Sequence, residues 1–367
     1  MSRCIYCDKK ENEATFNGRE HVIPQLMGTF ENNPTLRGWV CDNCNSKIFN
    51  VLETKFKEDT EEGIYYQMFN FQNSCQIRIR GNNVKTTFSP GLGDDFFNEM
   101  FPFLKHQDNN WRIFLLPQIK IKRYGDNGYL ILLVDELKKL NKKKFLEIKK
   151  LLTGVQSKDV SIFTGGNSDT DDGPLQEAID ILKKLGIDYK EGKRKFAPID
   201  KNGPKKQFEV SMDCTVGADA GRVISKIAFN YFSHCAIQEN RADILFHPNF
   251  SVIKSYIIGE SDLPVKQVIA ELGSEPIIYD EKIDNMRFIG HTVIFSKENG
   301  NLVSKISFLG KRIYTVVLGL IPDEFKRNDF GCGHLFDPIN KKIHQLTQDP
   351  NKWGSGLATG FGLYKRL

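Results

Sequence analysis

The chain has 367 residues, a mass of 42.0 kDa and a formal net charge of +5, with 40% hydrophobic and 26% charged residues. These values exclude a largely disordered chain, a collagen-like fibre and a coiled-coil rod, and they suit two or three globular domains. No run of about 18 apolar residues is present, so no membrane helix is expected, and the opening MSRCIYCDKK lacks the apolar stretch of a secretory signal, which points to the cytoplasm.

The first element is a pair of cysteine knuckles. Four of the eight cysteines lie in the first 44 residues, as Cys4-x2-Cys7 and Cys41-x2-Cys44. In a reducing compartment such pairs read as metal ligands rather than disulfides. Two residues between thiolates let both sulfurs face one ion, and two such turns complete a tetrahedral site suited to Zn2+. The alternatives are two unrelated pairs or a redox pair. A closed site of four cysteines is structural, since it leaves no open position for chemistry. Cys75, Cys214, Cys235 and Cys332 are scattered singly and read as small buried hydrophobes.

The loop between the knuckles holds Glu20-His21-Val22-Ile23-Pro24, and the second knuckle runs as VCDNCNSKIFNVLE. CIYC, EHVIP, GWVCDNCN and Glu53 together resemble the HNH endonuclease family, over roughly residues 4–56. The resemblance implies a small ββα-metal module that hydrolyses phosphodiesters. It implies His21 as general base, because a neutral imidazole can take a proton from water near pH 7. It implies Glu20 and Asn45 as ligands of a catalytic Mg2+ or Mn2+, which favours hard oxygen donors. Glu53 is either a further ligand or a helix-surface carboxylate. An amide at Asn45, where many relatives have His, implies looser metal binding. The middle residue of the family motif stays open among Asn32, Asn33 and Thr35. His234, His291 and His334 read as structural.

A helix opens at Asn45, with Ile48, Leu52 and Phe56 as its apolar stripe. Residues 76–80 and 84–88 alternate about Gly81-Asn82-Asn83 and predict a hairpin. Strands are predicted at 112–122 and 128–134, then a helix over 136–152. The Lys-rich face of that helix, including Lys142, Lys143 and Lys144, is either solvated surface or a contact for DNA phosphates. Residues 164–175 read as a loop, 175–186 as a short helix and 190–206 as a basic linker. A strand is expected at 208–212 and a core helix over 219–234. On that helix Arg222 and Lys226 are one turn apart and could reach a shared phosphate, although a structural role is the favoured reading. The last third predicts an antiparallel meander over 275–280, 288–296, 301–308 and 312–319, packed on that helix.

The expected fold is therefore α+β: a zinc-stabilised ββα-metal module followed by a larger mixed region with antiparallel sheet. The expected divisions are 1–70 for the nuclease module, 71–205 for a basic DNA-binding or linking region, and 206–367 for a β-rich region serving recognition or dimerisation. Residues 1–70 carry 8 basic and 11 acidic side chains, against 24 and 17 in residues 71–205. An acidic module needs a basic partner surface to hold DNA, so a cut near residue 70 is expected to leave a folded module that binds DNA weakly. The expected function is a metal-dependent DNA endonuclease of restriction, phage defence or a mobile element, acting as a homodimer if both strands are cut. A modified base or small molecule is a candidate signal for the C-terminal region. The alternatives are a non-catalytic zinc-finger protein that binds DNA and an RNA-cleaving effector.

Overall fold

The computed structural model describes residues 2–69, 76–80, 84–90, 101–107, 110–114, 116–123, 128–164, 173–190, 208–214, 216–273, 290–309, 312–322, 333–348 and 361–363. The architecture is α+β, with mixed helices and antiparallel sheets. The chain forms two compact units. One joins residues 1–57 to residues 216–367, and the other is residues 58–215. The breaks thus fall near 57 and 215 rather than at 70 and 205, and the first and last segments share a unit.

In the N-terminal segment, His21 makes a single antiparallel bridge with Thr35. Flanking bonds from Val22 N–H to Pro34 O (3.0 Å) and Leu36 N–H to Glu20 O (2.8 Å) extend it. The helix begins as a widened, π-helical stretch, Asn43–Phe49, in which Asn50 N–H bonds back five residues to Asn45 O. It continues as α1 (Asn50–Asp59). Phe49, Leu52 and Phe56 are its buried large apolar residues, with Ile48 half-buried.

The unit of residues 58–215 contains α2 (Glu61–Phe69), β1 (Gln76–Ile79), β2 (Val84–Pro90), β3 (Phe103–Gln107), β4 (Asn110–Phe114), β5 (Gln118–Lys122), β6 (Tyr129–Leu133), α3 (Val134–Lys138), α4 (Lys142–Leu151), β7 (Val160–Phe163), α5 (Gly173–Leu185) and β8 (Phe208–Cys214). Its main sheet has the order β1-β6-β5-β7, all antiparallel. Ile119, Ile121, Leu130 and Leu132 pack there against Leu137, Ile148, Ile181 and Leu182 from the helices. Three expectations fail here. β1 and β2 do not form a hairpin: β1 pairs with β6 and β2 with β8. The 136–152 helix is broken, because the Asn141 side chain caps a new helix start by accepting from Lys144 N–H (3.0 Å). The predicted strand 112–122 is likewise split into β4 and β5, around Pro117. The predicted basic linker lies almost wholly outside the described residues.

The other unit continues with α6 (Ala218–Gln238), α7 (Ser251–Ile258), α8 (Val265–Val268), β9 (Ile269–Gly273), β10 (His291–Glu298), β11 (Asn301–Phe308), β12 (Arg312–Leu320), β13 (Gly333–Asp337), β14 (Lys342–Gln348) and β15 (Phe361–Leu363). The seven strands form one antiparallel sheet in the order β15-β14-β13-β10-β11-β12-β9. The β10–β11 turn is Asn299-Gly300, both with positive φ (50° and 80°), the backbone that a two-residue hairpin requires. The predicted strand 275–280 lies outside the described residues. α6 packs on β10, β11 and β12. Phe229 and Phe232 cluster with Phe250, and Tyr231 stacks on Phe295.

The N-terminal segment is built into this core. Tyr6 packs edge-on to Phe229, Phe30 to Phe336, and Phe56 to Phe308. His291, fully buried, is hydrogen-bonded through Nε2 to Met27 O (3.2 Å), and burial pushes its pKa down to about 3. Each buried aromatic side chain contributes roughly 1.5–3 kcal/mol. Three of them come close to a whole domain's net stability of about 5–15 kcal/mol. Residues 1–57 thus lie with an apolar side against α6 and the sheet of their own unit. A fragment of residues 1–70, supplied with zinc, should give a collapsed amide spectrum and no cooperative thermal transition. A well-dispersed spectrum would show that the module needs no cover.

Candidate functional site

Two short turns build the metal site. Asp8 N–H bonds to Cys4 O (3.0 Å), and Asn45 N–H bonds to Cys41 O (3.0 Å). Ile5 N–H reaches Trp39 O (2.9 Å) and ties one knuckle to the other. The four sulfurs of Cys4, Cys7, Cys41 and Cys44 all lie within 4.8 Å of one another. The Cys4–Cys44 separation is 3.9 Å and Cys7–Cys41 is 3.6 Å. A zinc ion with Zn–S bonds of about 2.3 Å requires sulfurs roughly 3.8 Å apart, so the donor set fits Zn2+. The hydrogen bond from Cys44 lowers the Cys4 pKa to about 5, whereas burial raises Cys7 to about 12. The Cys4 thiolate forms readily, while Cys7 keeps its proton unless a dication joins the cluster. Among the described residues this is the one cluster of three or more His, Cys, Asp or Glu side chains with converging ligand atoms.

The knuckle also places the catalytic candidates. Asp42, inside the second CxxC, accepts from Thr15 Oγ1 (2.5 Å), Gly18 N–H (2.7 Å) and Asn17 Nδ2 (3.2 Å). These bonds hold its pKa below the usual carboxylate value, the Thr15 bond first. They clamp residues 15–18 to the start of the helix. Gly18 allows the close approach, since a Cβ there would lie 2.7 Å from Asn45 Nδ2. Asn45 is half-buried beside Gly18. Sequence reasoning missed Asp42, whose signal was a carboxylate inside the metal loop.

His21 is half-buried, and burial lowers its pKa, so the imidazole is neutral near pH 7. Its Nδ1 lies 3.1 Å from Asn33 Nδ2, while Asn33 Oδ1 is buried without a partner. Turning the Asn33 amide over puts Oδ1 on an Nδ1–H and leaves the Nε2 lone pair free, which is the tautomer a base needs. Of the three residues left open for the middle position, Asn33 reaches the His21 ring and Thr35 bridges its backbone.

Glu20 points the other way and is only 3% exposed. Its Oε1 accepts from Lys226 Nζ (2.5 Å) and Asn230 Nδ2 (2.7 Å), both on α6. Lys226 Nζ also donates to Glu53, whose side chain is 20% exposed. Asn230 Nδ2 reaches His21 O (3.2 Å), and Tyr6 OH donates to Asn230 Oδ1 (2.5 Å). Burial raises the Glu20 pKa against the pull of Lys226. Burial also opposes the charge on Lys226, but Glu20 and Glu53 outweigh it and hold its pKa above the usual lysine value. The ammonium is thus a firmer charge than the Glu20 carboxylate.

Lys226 is fully buried, so it offers nothing to a phosphate in solution. Arg222 is also occupied, with Nε donating to Ile257 O (3.0 Å) and an ion pair to Asp219 (3.6 Å). The expectation that this pair grips one phosphate is corrected, because α6 is a core helix whose cations point into the protein. Lys142, Lys143 and Lys144 are exposed on α4. His334 bonds to Tyr231 OH (2.5 Å) and burial lowers its pKa to about 4, in keeping with a structural histidine. Cys235 is buried, as expected. Cys75 and Cys332 lie outside the described residues.

A cysteine knuckle pair encloses an adjacent carboxylate and histidine and is closed by a helix, the arrangement expected of an HNH-type module. Residues 4–61 form such a domain by sequence as well: the model of the HNH endonuclease family matches this segment, about one sixth of the chain. No curated protein and no solved structure matches the chain. No helix among the described residues is long and apolar enough to cross a membrane.

The zinc fit has a direct test. Elemental analysis should find about one zinc per chain, lost in Cys41→Ser. That variant should also lose the thermal stability that zinc confers, since binding a structural ion is linked to folding. Full stability of the zinc-free protein would refute a structural ion.

Proposed function

We propose that the protein is an endonuclease that hydrolyses DNA phosphodiester bonds, with His21 as general base. The observation that carries this reading is the His21 ring. It lies in the segment that matches the nuclease family, is only half-buried, and is neutral near pH 7. With Nδ1–H held by Asn33 Oδ1, Nε2 accepts a proton from an attacking water. Its backbone is fixed by Asn230 and by the bridge to Thr35. General-base catalysis of this kind contributes about 10²- to 10⁴-fold.

Nucleases of this family use divalent metals, and the resemblance assigns one to Glu20, Asn45 and Glu53. The residues do not fit it as they stand. One Glu20 oxygen takes two donors from α6, and a lysine ammonium already bridges Glu20 and Glu53. No step is therefore routed through such an ion here. DNA is the proposed substrate, and the exposed lysines of α4 are the proposed contact for its phosphates. The unit bearing α4 holds 25 basic and 23 acidic side chains, so its attraction for DNA is local to such faces. A setting in restriction, phage defence or a mobile element rests on the resemblance alone.

Supercoiled plasmid, incubated with the full chain in Mg2+, Mn2+ or chelator, should be nicked by the wild type. His21→Ala should be at least about 10²-fold slower, and Asn33→Ala should lose a smaller factor. Equal cleavage by His21→Ala would overturn the assignment. Cleavage of single-stranded RNA but not duplex DNA would favour the RNA-directed alternative, and binding without any cleavage would favour a zinc-finger protein.

A further inference from the structure

Lys226 is fully buried, yet no solvent-facing role explains a cation there. Its ammonium sits between two carboxylates that belong to different parts of the module. Glu20 precedes His21, and Glu53 lies on α1. The face of the Phe49 ring lies 5.1 Å from Nζ and screens it from water. One turn along α6, Asn230 completes the grip on Glu20 and extends it to the His21 carbonyl. An isolated buried lysine would shed its proton. This one has two anionic partners and remains a cation.

A divalent ion would need the same oxygens. Hard cations bind carboxylates at about 2.0–2.2 Å and demand close access to the lone pairs. Here the Oε1 of Glu20 already accepts two hydrogen bonds, and its carboxylate is almost wholly enclosed. Ammonium and dication would also repel each other across that short distance.

We propose that Lys226 is the resident cation of this site. It takes the place of a divalent ion between Glu20 and Glu53, and with Asn230 it makes Glu20 a positioning residue for His21 rather than a metal ligand. The inference deepens the nuclease reading in assigning Glu20 this part. The ion pairing itself does not depend on that reading. On this view the sequence places a metal-type carboxylate beside the base, and α6 fills the cation position from within the chain.

The test is metal binding by the zinc-loaded full chain, read by electron paramagnetic resonance of free Mn2+ and by the thermal midpoint as Mn2+ is added. Neither readout requires cleavage, so a failure of the nuclease reading would leave this result interpretable. Glu20→Gln keeps the acceptor for Lys226 and Asn230 and removes the charge. Mn2+ affinity should stay within about twofold of wild type in Glu20→Gln. Lys226→Met leaves two unneutralised carboxylates side by side, so it should gain an Mn2+ site at least tenfold tighter than any in the wild type, with a thermal midpoint that rises on adding the ion. Adding Glu53→Gln to Lys226→Met should remove that gain. A tenfold or greater loss of Mn2+ affinity in Glu20→Gln would make Glu20 a ligand and overturn the proposal, as would a folded Lys226→Met with no gain. Should Lys226→Met fail to fold, the Glu20→Gln comparison decides alone.

Discussion

The structure turns on one buried charge pairing. Glu20 is carried by the loop between the zinc knuckles, and Lys226 by a helix more than two hundred residues later. Their bond, with Asn230 beside it, joins the nuclease-like segment to the core of the same unit. A buried carboxylate without a cation is costly, and a buried ammonium without an anion equally so. Each group therefore requires the other segment to be present and in register. The aromatic contacts of Tyr6, Phe30 and Phe56 supply the surface burial for the same union. The ion pair contributes what apolar contact cannot: a defined distance between Glu20, the His21 backbone and α1.

The cysteine knuckles and α6 divide the work of shaping the site. The knuckles set the local geometry. Through Asp42 they clamp residues 15–18, and through Cys44 they start the helix that carries Asn45 and Glu53. α6 sets the electrostatics, with one positive charge supplied to two carboxylates. The module alone has the first property and lacks the second.

Much of the module was legible in the sequence, because its signals are local. CxxC spacing fixes which sulfurs can converge, and the EHVIP and CDNCN strings lie close to the geometry they specify. The long core helix and the β10–β11–β12 meander were legible from apolar periodicity and from Asn299-Gly300. What was not legible depends on distant partners. The 76–80 and 84–88 segments look like a hairpin, since alternation and a Gly-Asn-Asn turn are hairpin signals. The register of each strand is nevertheless set by strands far along the chain. Asn141 is an ordinary polar residue in a helical pattern until its side chain caps Lys144. Lys226 left a structural role and a phosphate contact both open, because the sequence does not show what faces its side chain. Only the packing of α6 shows that its position faces Glu20. The charge pattern was similarly incomplete: the strongly basic 71–205 stretch shares its compact unit with the acidic start of α2.

A double-mutant cycle addresses the central pairing most directly. Equilibrium unfolding of the zinc-loaded full chain would be compared for wild type, Glu20→Gln, Lys226→Met and the double variant, in metal-free buffer apart from zinc. Contacting buried groups show coupling of about 0.5–3 kcal/mol. Glu20 and Lys226 should couple at the upper end of that range, with the double variant much less destabilised than the two single losses combined. Losses that add to within about 0.5 kcal/mol would mean that the two residues act independently, and would contradict it.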